Sequence, residues 1–412
     1  EIHVDPNQEY IKVEGFWITS GPLPPETDPN FIITPSVRGH LRNVARVLAA
    51  GRFPVLLEGP TSSGKTSLVR FLGQATGHRV LRINNHEHTD LQEYLGQYVC
   101  SPVDGRLVFQ EGVLVRAARE GQWVVLDELN LAPSEVLEAL NRLLDDNREI
   151  YIPELNEAVK PHPDFMIFAT QNPAGGSYGG RKLLSRAFRN RFIEVFVDDL
   201  PVSELSLIIN RRCQLPASMC ASMLGVYEDL QTRRSQGSIF AGKKSFMTVR
   251  DLLRWANRKP GTPVELAHEG FILLAERLRK DSDREEVRNA LIKHCRGVKE
   301  LVVDYTTDPL VLEAQEKCAT RLAEDPDSVP PGFPKGGLSW TDAMCRLCAL
   351  VARCIKFDEP CLLVGETGCG KTTIVQVLTW AFGQTLSALN CHQNSETADF
   401  VGSLRPVRGR DR

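Results

Sequence analysis

From residue 30 to 200 the chain alternates short, uniformly apolar runs with stretches in which apolar residues recur every third or fourth position. Val55 to Leu57, Trp123 to Leu126 and Phe165 to Ala169 are too short for buried helices and lack polar alternation, so they predict strands covered on both faces. Leu68, Val69 and Leu72, and then Val136, Leu137, Leu140, Leu143 and Leu144, fall on single helix faces, the second helix with Ser134 as its cap after Pro133. The expected class is α/β, a parallel sheet with helices on both faces. Two hairpins interrupt it, one around Asp104-Gly105 between Tyr98 and Phe109, the other around Pro153-Glu154 between Glu149 and Lys160.

Beyond residue 200 the strand signal stops. Residues 201–258 predict a small helical lid (Pro201 to Asn210, Ala217 to Leu230, Arg250 to Arg258) with a loop over Arg233 to Lys244, and residues 264–324 extend it with further helix. Residues 325–337, DPDSVPPGFPKGG, read as a linker. Residues 1–29, strand-like from Tyr10 to Ile18 and then rich in proline, read as the tail of a preceding segment.

Residues 338–412 begin a second unit, because the chain contains a repeat. LLEGPTSSGKT at 56–66 returns as LLVGETGCGKT at 362–372, an offset of 306, and the glycine-rich part of each follows a strand-like apolar run, Val55 to Leu57 and Cys361 to Val364. Without a gap, Asn84 falls on Asn390, His86 on His392, Gly96 on Gly402, Leu41 on Leu347 and Ala45 on Val351. Two tandem modules begin here and the first alone is completed, which reads the chain as part of a longer protein.

Both copies match GxxxxGK[ST]: Gly59, Pro60, Thr61, Ser62, Ser63, Gly64, Lys65 and Thr66, followed by Ser67; and Gly365, Glu366, Thr367, Gly368, Cys369, Gly370, Lys371 and Thr372, followed by Thr373. Glycines let successive N–H groups turn toward a phosphate, and the following helix aims its positive end at the anion. The lysine neutralises β and γ oxygens, and Thr66 or Thr372 is placed to ligate Mg2+. ATP or ADP with Mg2+ is the expected ligand of both loops.

The partner groups follow in order. Trp123 to Glu128 ends in two acids: Asp127 to hold Mg2+ through water and Glu128 to polarise the attacking water, a Walker B pattern. Asn172 ends the next apolar strand and is the candidate sensor 1, reaching between Walker B and the γ-phosphate; its structural alternative is a turn former before Pro173. Arg186, Arg189 and Arg191 offer a fixed cation for a neighbour's γ-phosphate, with Arg191 the first choice and Arg189 the second. Arg250, opening an apolar-periodic helix, is the candidate lid sensor or else a surface arginine near a helix start.

Composition then narrows the class. A chain of 412 residues, 42% hydrophobic and 25% charged, has room for two or three globular domains at about 150 residues each. Lys plus Arg (49) nearly balances Asp plus Glu (52), so no overall positive field favours nucleic acid or an anionic membrane, though hairpin tips leave a local RNA contact open. No apolar run of about 18 residues predicts a membrane span. Eleven scattered cysteines suit reduced thiols in a reducing compartment. Cys345 and Cys348 read as one apolar helix face, and His86-Glu-His88 as a loop, not as zinc ligands.

On these motifs, residues of about 30 to 258 resemble a complete AAA+ module of the group with a helix-2 insert and a pre-sensor hairpin, which includes MoxR-type ATPases, magnesium chelatase subunits and dynein. The stretches HEHTDLQEYLG, VVLDELNLAPSEVLEALNRLLDDNREIYIPE and FATQNPAGGSYGGRKLLSRAFRNRF are similar to the midasin family, dynein-related ATPases of ribosome assembly. The resemblance implies a P-loop AAA+ large domain with a helical lid, set in tandem in a single-chain ring. It also implies a long linker, an acidic region and a terminal metal-ion-dependent adhesion domain elsewhere. It further implies use of ATP to release assembly factors from large-subunit precursors of the ribosome in the nucleolus and nucleoplasm. Partners implied are neighbouring AAA+ modules of the same chain and pre-ribosomal particles, with no membrane.

In such rings each nucleotide lies between modules, so Arg191 is expected to complete the site of a preceding module and the finger for the Lys65 site to lie past Arg412. The chain is then expected to bind ATP at both loops and to hydrolyse it slowly. Two other readings stay open: a nucleotide-gated structural switch with little hydrolysis, and a nucleic-acid motor.

Overall fold

The computed structural model describes residues 8–51, 53–100, 106–173, 183–235, 247–325 and 339–392, with Val329, Ser395, Phe400 and Gly402. The tip of the first expected hairpin, most of the lid loop and nearly all of the expected linker lie outside them. The chain divides into two compact units, residues 1–224 with 231–252 and 401–412, and residues 225–230 with 253–400.

In the first unit the elements run β1 (Tyr10–Val13), β2 (Phe16–Thr19), α1 (Pro35–Ala50), β3 (Val55–Glu58), α2 (Lys65–Thr76), β4 (Val80–Asn84), α3 (Leu91–Leu95), β5 (Gly96–Cys100) and β6 (Leu107–Glu111). They continue with α4 (Val113–Glu120), β7 (Trp123–Asp127), α5 (Ser134–Leu144), β8 (Ile150–Ile152), β9 (Glu157–Val159), β10 (Met166–Gln171), α6 (Arg186–Arg189) and β11 (Ile193–Phe196). The lid helices are α7 (Val202–Cys213), α8 (Ala217–Ser235) and α9 (Val249–Asn257). α8 runs to Ser235, past the expected end at Leu230 and into the stretch expected as loop.

Five strands pair in the order β11-β3-β10-β7-β4, every pair parallel. Their alternation explains the uniformly apolar runs. Val55, Leu57, Trp123, Val125, Met166 and Phe168 face α1 and α2, whereas Leu56, Val124, Leu126, Ile167 and Ala169 face α4 and α5. A strand buried on both sides has no polar position to show.

Both hairpins form where expected, β5 with β6 and β8 with β9. Ser134 does not cap α5; it is the first helical residue and Pro133 occupies the cap position without a side-chain bond. Proline at that point sets the backbone but cannot donate. Tyr10 to Ile18 is a hairpin and not one strand, because Glu14 and Gly15 take positive φ and reverse the chain. The stretch after it is tied to the end of α2, Gly21 N–H donating to Thr76 O and Leu23 N–H to Gly77 O.

The second unit contains α10 (Pro263–Leu274), α11 (Asp281–His294), α12 (Pro309–Glu324), α13 (Asp342–Lys356) and α14 (Lys371–Ala381). α13 and α14 are the repeats of α1 and α2, and α12 packs on both around Val311, Ala314, Cys348, Ile374 and Leu378. The helical extension thus shares a core with the second module's first helices. Cys361 to Val364, expected as that module's first strand, is not a strand: Leu362 is 87% exposed. Strands exist by pairing, and β3 is held by β10 and β11, whose counterparts 306 positions on do not fall within 412 residues.

Cys345 and Cys348 are buried in α13, where burial pushes the Cys348 thiol up to about 12. Among the described residues no group of three or more His, Cys, Asp or Glu is arranged to hold a metal. No described helix is long and apolar enough to cross a membrane.

Candidate functional site

The loop between β3 and α2 emerges at the carboxyl ends of the parallel strands, beside the ends of β7 and β10, the general place for ligands in such sheets. Gly59 sits where only glycine fits. Its N–H bonds to Gln171 O, and a Cβ there would come within 2.1 Å of Val197 O. Ser62 and Gly64 take positive φ of 69° and 90°, and the curl ends at Lys65, the first residue of α2.

Lys65 folds back over the loop. Its Nζ donates to Gly59 O at 2.8 Å, Pro60 O at 2.7 Å and Asn172 Oδ1 at 3.0 Å. The second loop repeats this geometry: Lys371 Nζ donates to Gly365 O at 2.9 Å and Glu366 O at 2.6 Å, with Gly368 and Gly370 at positive φ. Thr372 and Thr373 follow in the first turn of α14, as Thr66 and Ser67 follow in α2. The backbone of Thr61 to Gly64 and of Thr367 to Gly370 thus forms the same cradle at both sites.

Asp127 ends β7, and Thr66 Oγ1 lies 3.3 and 3.4 Å from its two carboxylate oxygens. A hydroxyl beside a carboxylate is a hard-oxygen pair of the kind Mg2+ takes while keeping most of its water, so the residues present fit that ion. Thr170 hydroxyl donates to Asp127 Oδ1, and the Arg82 guanidinium holds Oδ2, its Nε–H at 2.7 Å. Asn85 Nδ2–H donates to the Asp127 carbonyl at 3.0 Å, and Asn85 Oδ1 accepts from the Tyr94 hydroxyl.

Glu128 follows in the left-handed region at φ 53°, its N–H donating to Thr170 Oγ1 at 3.1 Å. Asn172 is 4% exposed, its carbonyl accepting from Asn130 Nδ2–H at 3.3 Å. Asp199 stands near this group: burial pushes its carboxyl above the ordinary value, with the Lys65 charge opposing.

The structure therefore brings Lys65, Thr66, Asp127 and Asn172 together. The arginines sit apart from that cluster. Arg191 grips Asp145 and donates to Ala187 O at 3.1 Å; Arg189 forks Glu194 at 2.7 and 2.8 Å; Arg186 is exposed. Arg250 is exposed at the start of α9, with no bond to any of these groups.

Sequence reasoning missed Arg82, Thr170 and Glu204. Arg82 alternates with Asn84 on one face of β4, and Thr170 stands two residues before Asn172. That positioning became visible only with strand order. Glu204, on α7, accepts from Ser36 N–H and from the hydroxyls of Thr34 and Ser36. Burial works to raise its carboxyl, and these donors outweigh it and hold it below the ordinary value.

Residues 54–192 and 360–412 match the AAA domain of the dynein-related subfamily, and residues 204–297 match the midasin AAA lid domain. Midasin of Dictyostelium discoideum is 54% identical over 98% of this chain, and midasin of Giardia intestinalis 41% over 93%. The chain spans 7% and 8% of the length of those relatives. An uncharacterized protein of Staphylococcus saprophyticus is 30% identical over 58% of this chain and 89% of its own length.

Proposed function

The chain belongs to the midasin family of dynein-related AAA proteins, and on that premise we propose that it binds ATP with Mg2+ at both P-loops and hydrolyses it at the first. The observation that supports this most directly is the meeting of Lys65 Nζ with Asn172 Oδ1 beside the facing pair Thr66 and Asp127. Four groups from three segments, the start of α2, the end of β7 and the residue after β10, converge on the mouth of one glycine-rich loop.

Each residue has a step. The N–H groups of Ser62 to Thr66 hold the phosphates, and Lys65 exchanges its loop carbonyls for β and γ oxygens. Thr66 and Asp127 would hold Mg2+, which supplies charge neutralisation on the phosphoryl oxygens when bound. Asn172 keeps Lys65 aligned toward the γ-phosphate. Glu128 takes the proton of the attacking water as its oxygen bonds to γ-phosphorus and the bond to the β–γ bridging oxygen breaks, leaving ADP and phosphate.

The arginine that stabilises the transferring phosphoryl group comes, on this reading, from a neighbouring module, so the chain by itself turns over slowly. Arg191 is proposed to serve the adjacent site in the same way, held ready by Asp145. We extend the proposal to the whole protein: consecutive modules of a ring that releases assembly factors from large-subunit ribosomal precursors in the nucleus. The similarity to midasin supports that extension.

A second reading, a nucleotide-gated switch with little hydrolysis, draws on the engagement of Arg191 and Arg189 by acids of their own module. Supplying the preceding module in trans and measuring single-turnover hydrolysis at the site that Arg191 is proposed to complete separates the two. Acceleration lost with Arg191→Ala supports the first reading; no acceleration with nucleotide bound supports the switch.

A further inference from the structure

Asp127 is loaded unevenly. Its Oδ1 takes the Thr170 hydroxyl, whereas Oδ2 carries the guanidinium of Arg82 through both Nε and a terminal nitrogen. The Asp127 side chain is only 9% exposed, and Lys65, the other cation at the loop, is turned to Asn172 and the loop carbonyls. Arg82 is a cation forked directly onto this carboxylate. It reaches there from β4, the edge strand, with its side chain 52% exposed, so the fork can withdraw without opening the core.

A buried carboxylate facing bound phosphates without a cation between them is a like-charge contact in a poorly screened place. The metal ion removes that repulsion when present. We propose that Arg82 is a built-in stand-in for Mg2+, neutralising Asp127 so that the first P-loop holds nucleotide while the metal is absent. The inference rests on the nucleotide reading above. The repeat marks it as a property of the first module, because position 388, 306 residues after Arg82, is alanine.

The consequence is a weak dependence of nucleotide binding on Mg2+ at the first site. The test uses the 412-residue chain carrying Lys371→Ala, which leaves the first loop as the binding site. Binding of a fluorescent ATP analogue is titrated in excess Mg2+ and in EDTA, with thermal unfolding followed as a check on folding. The ratio of the two Kd values should rise about tenfold for Arg82→Ala, the scale of one poorly screened charge contact. Arg82→Gln keeps the stem and a donor without the charge and should behave like alanine, whereas Arg82→Lys should stay near the parent. The Gln and Lys pair decides the matter if the alanine variant does not fold. An unchanged or smaller ratio in the neutral variants would overturn the inference while leaving nucleotide binding intact. No binding in Mg2+ by the parent would overturn the nucleotide reading itself.

Discussion

Lys65 and Asn172 are joined by a 3.0 Å hydrogen bond from the lysine Nζ to the amide oxygen, linking the start of α2 to the residue after β10. On the function proposed above the bond lies toward the γ-phosphate, so it is expected to bear on the chemical step more than on the affinity for nucleotide. Asn172→Ala is expected to change ATP affinity by less than about threefold and to lower single-turnover hydrolysis roughly 100-fold, the scale of one lost phosphoryl-facing donor. A matched loss of binding and turnover would contradict the sensor role.

The two loops differ in how closely they are packed. A Cβ at Gly59 would meet the Val197 backbone carbonyl at 2.1 Å, whereas at Gly365 it would meet the Cys369 thiol at 3.0 Å, a side chain that can rotate. Gly59→Ala should cost about 1–3 kcal/mol and abolish binding at the first site. Gly365→Ala should leave the second site binding within a few-fold. Denaturant unfolding and a nucleotide titration of each variant check both statements.

In the second unit, two arginines and three acids are interlocked. Arg353 bonds Asp308 at 2.6 Å and Glu269 at 3.1 Å; Arg258 bonds Glu269 at 2.9 Å and Glu359 at 2.7 Å. Asp308 and both arginines are almost fully buried. Removing one member strands its partners, so Arg353→Ala should destabilise this unit by about 3–5 kcal/mol. Arg353→Met with Asp308→Leu should recover part of that loss. Chemical denaturation of the single and double variants gives the comparison.

How far the sequence went depended on the kind of signal. Residues whose chemistry is fixed by spacing, such as Gly59, Lys65, Thr66 and Asp127, were legible because a strand, a curl and a helix start leave one arrangement for them. The repeat carried the same reading to Lys371. Arg82 was hidden, since its partner lies 45 residues away on a strand whose neighbour is set by sheet order. Cys361 to Val364 misled for the opposite reason: an apolar run states a preference, and pairing decides whether it becomes a strand.

His78 gives a pH dependence. It stacks on Trp123 with ring centroids 4.3 Å apart, and Thr76 hydroxyl, already donating to Leu72 O, accepts from its Nδ1. Burial lowers its pKa from 6.5 to about 4, with Asp164 opposing. Below pH 6.5 the unfolded chain therefore binds a proton that the folded chain refuses, so stability falls as pH drops from 6.5 towards 4, by about 3 kcal/mol. His78→Phe should flatten that part of the profile. Unfolding midpoints at pH 7 and pH 4.5 for both proteins supply the test, and parallel profiles would contradict it.

The central claim is that two P-loops bind nucleotide and that Glu128 activates water at the first. It is tested most directly by a nucleotide titration with single-turnover hydrolysis on the 412-residue chain and its Lys65→Ala, Lys371→Ala and Glu128→Gln variants. The expected result is two binding sites, one lost with each lysine, with slow cleavage at the first site in the parent. Glu128→Gln should keep the ATP bound and uncleaved. Two sites remaining in either lysine variant, or cleavage that continues unchanged in Glu128→Gln, would contradict the account.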